Sequence, residues 1–352
     1  MRCYEQLFPF MRMMLVCFAS LFWLDLKLPA QVTTLGDPDL SITNFEAPKG
    51  AEVLMGDGTP WFLEKNQIIK FDLQNQTQTA PLPIEHLGHV GFAFGSVEIG
   101  SGSFWGYGKA HDVEGIHRID LSTGKCVAAI PLKPRKGQNV LRYGEGALWV
   151  FNLHDGNLKR IDPNTNQVSG EIEVGKGFWE PEQIADGFIW TIGLESGLLK
   201  RIDPNSLKIV DEFSVGPPQK TGFLEEPFKG GEFHFAVGEG MIWVEDKKTP
   251  PFGDFTYTLL RIDPKTHEQV ANFELGNYCA CGPPAIWSGY VWVSEMFRRG
   301  DLILKINAKT GQIAQYSTLG HVQLVVQGGS LWAIRWRSIW RIQEKETRYE
   351  EK

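Results

Sequence analysis

The stretch Gly144-Glu145-Gly146-Ala147-Leu148-Trp149-Val150, followed by Leu158-Lys159-Arg160-Ile161-Asp162-Pro163-Asn164-Thr165, decides the fold, because versions of it return along almost the whole chain. Tryptophans answering to Trp149 stand at Trp61, Trp105, Trp190, Trp243, Trp292 and Trp332, about 45 residues apart on average, the length of a propeller blade. Three residues before them come Gly58, Gly102, Gly146, Gly187, Gly240, Gly289 and Gly329. A tight hairpin turn needs positive φ there, and glycine adopts it without steric cost.

Outward from this core, each unit reads as four short strands. Strand A precedes the glycine turn, B carries the tryptophan, C ends in a basic-Ile-Asp motif, and D is a run such as 168–174 that leads to the next unit. In phase on C stand Lys70, Arg118, Arg160, Arg201, Arg261, Lys305 and Arg341. A position far from the axis suits long side chains that cover apolar neighbours, rather than a ring of binding cations. Asp72, Asp120, Asp162, Asp203, Asp263 and Asn307 follow, with the chemistry of type I or Asx turns.

Seven such units predict an all-β, seven-bladed propeller. The 12% aromatic content, 38 glycines and 20 prolines of this 352-residue chain agree, and no helix-period stretch competes. The seventh unit lacks a D strand, because a polar tail (343–352) follows Arg341-Ile342. The alternating run Leu40-Ser41-Ile42-Thr43-Asn44-Phe45 resembles a D strand, so the N-terminal segment is expected to close the ring and remove two sheet edges. A net charge of −7 argues against nucleic acid as a partner, and no apolar run in the repeats approaches a membrane span.

Residues 1–30 stand apart. Arg2 and Arg12 flank an apolar run over 13–24, and Pro29-Ala30-Gln31 offers a small residue at a cut, the pattern of a secretory signal peptide; an uncleaved anchor is the alternative. The expectation is a secreted or periplasmic protein with one propeller domain over 31–352 and no membrane span in the mature chain. Cys126, Cys279 and Cys281 would remain in it. The Cys-Ala-Cys spacing is too close for the usual zinc pair, and points to a loop disulfide or free thiols.

Loop lengths separate two faces. The A–B and C–D turns are short, whereas insertions at 106–114, 133–138, 216–231, 245–257 and 276–284 gather on the B–C and D–A face, where binding groups are usually carried. Basic residues there, Arg335 among them, suit an anionic ligand or a solvated rim. On the inner strand, the residues six before each tryptophan are apolar or aromatic and should pack between blades. The opposite pleat carries Glu52, Glu98, Arg142, Gln183 and His234, which need channel water or a ligand.

The unit Gly-x-x-Trp … Arg-Ile-Asp-Pro-x-Thr … Val, seen at 146–174, 187–215 and 240–275, resembles the repeat of the streptogramin B lyase (virginiamycin B lyase)-like propellers and of the YncE (YVTN)-type secreted propellers, over residues 40–342. In the lyase, a Glu-x-His pair opening an inner strand and a Glu past the next tryptophan serve a Mg2+ site and a general base. Here Glu232-Phe233-His234 with Glu245 after Trp243 is the partial match. It falls in the fifth blade instead of near the C-terminus, and the spacing differs; His321 and Gln323 do not reproduce the pair.

Two function classes follow. One is a binding module for a small molecule, glycan or protein on the long-loop face, with Glu52, Glu98, Arg142, Gln183 and Arg335 as candidate ligand-binding residues. The other, implied by the resemblance, is a lyase or lactonase acting on an ester or lactone. In it Glu232 and Glu245 hold Mg2+ or Ca2+, and His234 is the catalytic proton carrier.

Overall fold

A two-residue turn seeds every blade. Asp57-Gly58, Ser101-Gly102, Glu145-Gly146, Asp186-Gly187, Glu239-Gly240, Ser288-Gly289 and Gly328-Gly329 all have positive φ at both positions. That is the type I′ geometry whose twist matches the flanking strands. The computed structural model describes residues 37, 39–84, 96–110, 112–132, 139–152, 156–175, 179–193, 196–215, 234–248, 256–276, 279–280, 282–296, 302–317, 322–335 and 337–345.

Seven antiparallel sheets form the seven-bladed propeller. Their inner strands are Glu52–Gly56, Val97–Gly100, Asn139–Gly144, Trp179–Ala185, His234–Gly238, Ala285–Trp287 and Gln323–Gln327. Each touches the inner strands of two neighbours, and the last packs against the first, so the ring is closed around an axial channel. The expected closing strand runs over Leu40–Glu46 and pairs with Ser338–Glu344, from Leu40 opposite Glu344 to Phe45 opposite Ile339. Among the described residues no helix is long and apolar enough to cross a membrane.

The repeated residues interlock by one device. Each blade tryptophan lies directly across from the basic residue of strand C, as in Trp105 opposite Arg118 and Trp332 opposite Arg341. The cation sits over the indole at 4.8 Å in the first pair and 5.6 Å in the second. All seven indoles donate Nε1–H to the carbonyl five residues earlier, at 3.0 Å for Trp149 to Gly144 and 3.4 Å for Trp243 to Gly238. Buried tryptophan thus keeps its polar handle satisfied while filling the seam to the next blade.

The residues six before each tryptophan enter those seams, as expected. A Cβ added to Gly56 would lie 2.3 Å from Ile99 Cβ, and one on Gly100 2.2 Å from the Tyr143 ring. Glycine at this step is therefore a packing requirement: the next blade's side chain occupies the space of the missing Cβ.

The C–D turns are Asx turns. Asp72 Oδ1 accepts from Gln74 N at 2.9 Å and Asn75 N at 3.1 Å, and Asn307 Oδ1 accepts from Lys309 N and Thr310 N in the same way. Hydrogen bonds from Asn75, Ser122 and Asn205 hold the carboxyls of Asp72, Asp120 and Asp203 below the usual carboxylate range.

One expectation is corrected. Within 106–114, read as an insertion, residues 106–110 and 113–114 continue two strands, Ser103–Ala110 and Val113–Asp120. The polar segment keeps its backbone groups paired by lengthening the ladder, which costs less than leaving them unpaired at a buried seam. Strands Met241–Lys248 and Thr256–Ile262 likewise shorten the 245–257 loop to 249–255, which lies outside the described residues.

Candidate ligand site at the channel mouth

Register assigns the inner-strand polar residues to two levels. Glu52 faces Leu63, His234 faces Glu245 and Gln323 faces Ile334, all at the strand end away from the glycine turns. Exposed Arg335, opposite Ser338, is at that end too. Glu98, Arg142 and Gln183 face Trp105, Trp149 and Trp190, two residues nearer the turns and therefore in the middle of the channel.

At the mouth, blade 5 departs from its repeats. Two residues past the tryptophan the other blades carry Leu63, Tyr107, Phe151, Ile192, Ser294 and Ile334, whereas blade 5 carries Glu245, only 1% exposed. Its directly opposed partner is half-buried His234. Opposed residues on antiparallel strands share a face with Cβ atoms about 4.5–5.5 Å apart. That face looks toward blade 6, because Trp243 and Leu259 pack there with Val291 and Val293. A carboxylate beside an imidazole can exchange a proton with a bound molecule, or offer one oxygen and one nitrogen donor to a cation.

Ser294, the same position in blade 6, went unnoticed in the sequence. It is 6% exposed, and its Oγ has no hydrogen-bond partner among the described residues. The signal was available in the phase of the repeat, since only Glu245 and Ser294 interrupt an otherwise apolar or aromatic set. Tyr107 of blade 2 instead directs its hydroxyl to Glu114 Oε1 at 3.2 Å.

The middle level is divided. Gln183 spends its amide on blade 5, donating Nε2 to Val237 O at 3.3 Å and accepting from Val237 N at 2.5 Å. It fastens two blades, and a ligand would have to break that clip to use it. Arg142 donates Nη1 to Leu141 O at 2.9 Å. Burial pushes the Glu98 carboxyl up to about 7, against the pull of the Arg142 guanidinium and a hydrogen bond from Ile99 N, with Asp57 adding to the rise. Burial also raises the Glu52 carboxyl.

A raised carboxyl stabilises the fold most where it is protonated. The Glu98 contribution is complete below its unfolded value of 4.5 and is lost as pH rises through about 7. The parent should therefore lose stability relative to Glu98→Gln between these limits, measured by urea unfolding at pH 4.5, 6 and 7.5. A constant difference across the series would mean that folding leaves the Glu98 carboxyl unshifted.

Of the metal candidates, Glu232 lies outside the described residues, as do Phe233 and His321. Among the described residues no three His, Cys, Asp or Glu side chains gather as a metal site would require. Cys126 Sγ donates to Ala128 O at 3.4 Å, and Cys281, on which the loop-disulfide expectation falls, lies outside the described residues. His117, fully buried in the seam with blade 1, has Nε2 3.2 Å from Val113 O. A groove of about 430 Å³ follows the outer closure seam, lined by Asn44–Glu46, Phe71 and Gln76–Gln78. It lies at the rim, away from the inner strands that carry the polar clusters.

No family model and no curated protein sequence matches the chain. Among solved structures, BamB from Moraxella catarrhalis is similar with a TM-score of 0.49 and 13% identity, over 85% of this chain and 84% of that one. The computationally designed Ika8 protein is similar with a TM-score of 0.52 and 10% identity, over 83% of this chain and 95% of that one. At these identities the likeness extends to the fold alone.

Proposed function

We propose that this protein is a secreted or periplasmic propeller that binds a ligand at the long-loop mouth of its channel, on the His234–Glu245 pair of blade 5. The observation that carries this reading is a carboxylate 1% exposed at a core position where five blades hold large apolar or aromatic side chains, opposed by an imidazole. Burying a carboxylate costs several kcal/mol before compensation. A repeat that breaks its own packing rule in two adjacent blades, with a carboxylate at Glu245 and a hydroxyl at Ser294, fits selection for a site better than selection for stability. Glu52 and Arg335 reach the same end and extend the surface available to a small molecule, a glycan or a protein segment. Residues 1–30 supply the signal peptide in this reading.

The opposition of imidazole and carboxylate also favours a second reading, in which the pair performs acid–base chemistry on an ester or lactone. His234 would move the proton while Glu245 orients or neutralises it. A Mg2+ or Ca2+ ion would polarise the carbonyl. These ions take mainly oxygen ligands, so Glu232 would have to join Glu245.

The test is thermal unfolding of the parent, His234→Ala, Glu245→Gln and the short-turn control Asp186→Asn against panels of sugars, small lactones, MgCl2 and CaCl2. A ligand of this site raises the melting temperature of the parent and the control but not of the other two. If all four respond alike, the site is elsewhere. Lactone opening followed by base uptake, present in the parent and absent in His234→Ala, separates the enzymatic reading from simple binding.

A further inference from the structure

Every blade ends on an outer strand with one unpaired edge, and most of these edges are blunted. In blades 2–5 the outer ladder is broken by a register shift, at Cys126/Ala128, Arg160/Ile161, Arg201/Ile202 and Arg261/Ile262. In blade 1 the outer strand is cut into two short pieces, Thr77–Gln78 and Leu82–Pro83. Bulges, short strands and proline all hinder pairing with another chain. The closing strand Leu40–Glu46 of blade 7 has none of these: its seven residues keep one unbroken register and carry no charge before Glu46. The outer strand of blade 6, Ile313–Ser317, is regular too but has only five residues. We propose that the free edge of Leu40–Glu46 is a self-association surface, pairing antiparallel with the same edge of a second copy of this chain about a two-fold axis at Thr43.

The ladder fixes which backbone groups the edge offers. Ala47 N donates to Arg337 O at 2.7 Å and Lys345 N to Asp39 O at 2.8 Å. Odd-numbered residues of the strand therefore bond to Ser338–Glu344, and even-numbered ones turn their N–H and C=O outward. At one end Glu46 O accepts from Gln78 Nε2 at 3.2 Å, and at the other Leu40 N donates to Asp37 O at 3.3 Å. Between them, no backbone hydrogen bond among the described residues reaches the outward groups of Ile42 and Asn44. Blade 1 does not close over this half of the edge, since a groove of about 430 Å³ lies between Asn44–Glu46 and Gln76–Gln78.

A second copy meets these groups in one register. With the axis at Thr43, Ile42 N–H and C=O face Asn44 C=O and N–H of the second copy, the reverse pair follows by symmetry, and Glu46 N–H faces Leu40 C=O. Moving the axis to Ile42 or Asn44 leaves strand ends unpaired. Glu46, the only charged residue of the strand, falls opposite Leu40 and not opposite another carboxylate, so two chains of net charge −7 can meet here without opposed like charges. A two-fold pair also covers both bare edges and closes, whereas an unrelated strand laid on the edge would present a new one. The surface lies on the outer rim and uses no residue of the channel mouth, so the outcome of the His234 and Glu245 screen does not bear on it.

The experiment is sedimentation velocity of the full chain, which should show a monomer–dimer equilibrium on dilution from about 100 μM. Asn44→Pro removes an outward N–H but no bond to Ser338–Glu344, a place where an edge strand tolerates proline. The dimer should weaken by about thirtyfold, because each copy loses one hydrogen bond, while the melting temperature of the dilute protein is kept. Thr43→Cys places two thiols face to face at the axis, in a non-hydrogen-bonded pair with Cα atoms about 4.5 Å apart, within reach of a disulfide. After mild oxidation it should run as a covalent dimer on a non-reducing gel, and the parent and Ser41→Cys, whose residue faces Phe45 of the second copy, should not. A parent that stays monomeric at about 100 μM, a dimer undiminished by Asn44→Pro, or equal cross-linking of Thr43→Cys and Ser41→Cys would each overturn the proposal. The cross-linking pattern decides the matter even where Asn44→Pro fails to fold.

Discussion

Replacing Trp149 by Ala should lower the stability of the propeller by about 3–5 kcal/mol, the range for removing a buried large aromatic side chain. Trp149 is 1% exposed and packs with Phe151, Leu158, Ile189 and Ile202 across the seam from blade 3 to blade 4. Its loss creates a cavity between two rigid sheets that cannot collapse without sliding past each other. The substitution also withdraws the Nε1–H donor from Gly144 O, 3.0 Å away. Trp61, Trp105, Trp190, Trp243, Trp292 and Trp332 belong to the same ring, and each is 7% exposed or less. Chemical unfolding of the parent, Trp149→Ala and Trp149→Phe orders the contributions, with Phe expected between the other two. A loss for Trp149→Ala within experimental error of zero would show that the seam is not maintained by the indole.

Deleting residues 37–46 should be the most damaging change of all. The closing strand covers the edge of Ser338–Glu344, and Phe45 packs between blades 7 and 1 with its ring tilted against Phe71 at 4.5 Å and Trp332 at 6.3 Å. Asp37 Oδ2 lies 2.6 Å from Lys305 Nζ, with both side chains nearly enclosed. Removing one partner of such a pair leaves an enclosed charge uncompensated, which costs more than the pair itself contributes. The exposed strand edge is then a template for pairing with another chain. Size-exclusion chromatography with dye binding should report aggregates and exposed apolar surface. A truncated protein that elutes as the parent does and melts at the same temperature would mean that the ring closes without this strand.

Much of the fold was legible because its causes are local. Asp186-Gly187 turns, Asp203 caps its own C–D turn, and Leu40–Glu46 alternates, each through groups only a few residues apart in sequence. A local rule repeated seven times announces itself. The loop reading was weaker, because polarity marks residues 106–114 as an insertion while the backbone ladder, which depends on the facing strand, decides that 106–110 and 113–114 are strand. The candidate site was half legible. Repeat phase pointed to Glu52, Glu98, Arg142, Gln183 and His234 as inner-strand residues, and the resemblance pointed to Glu245.

By itself, then, the sequence determined the number of blades, the turn geometry, the tryptophan ring and the strand that closes it. Tertiary structure alone decided what each polar side chain meets. Gln183 reaches Val237, 54 residues away, and is spent on a seam. Glu245 comes opposite His234 only through the register of two strands, and sinks to 1% exposure only because blade 6 covers that face. Glu98 is pushed up to about 7 by burial, with Arg142 of blade 3 opposing the rise and Asp57 of blade 1 adding to it. The physical reason is that a repeat specifies geometry within a blade, whereas solvent exclusion and charge at the channel are set between blades, by residues that no spacing along the chain connects.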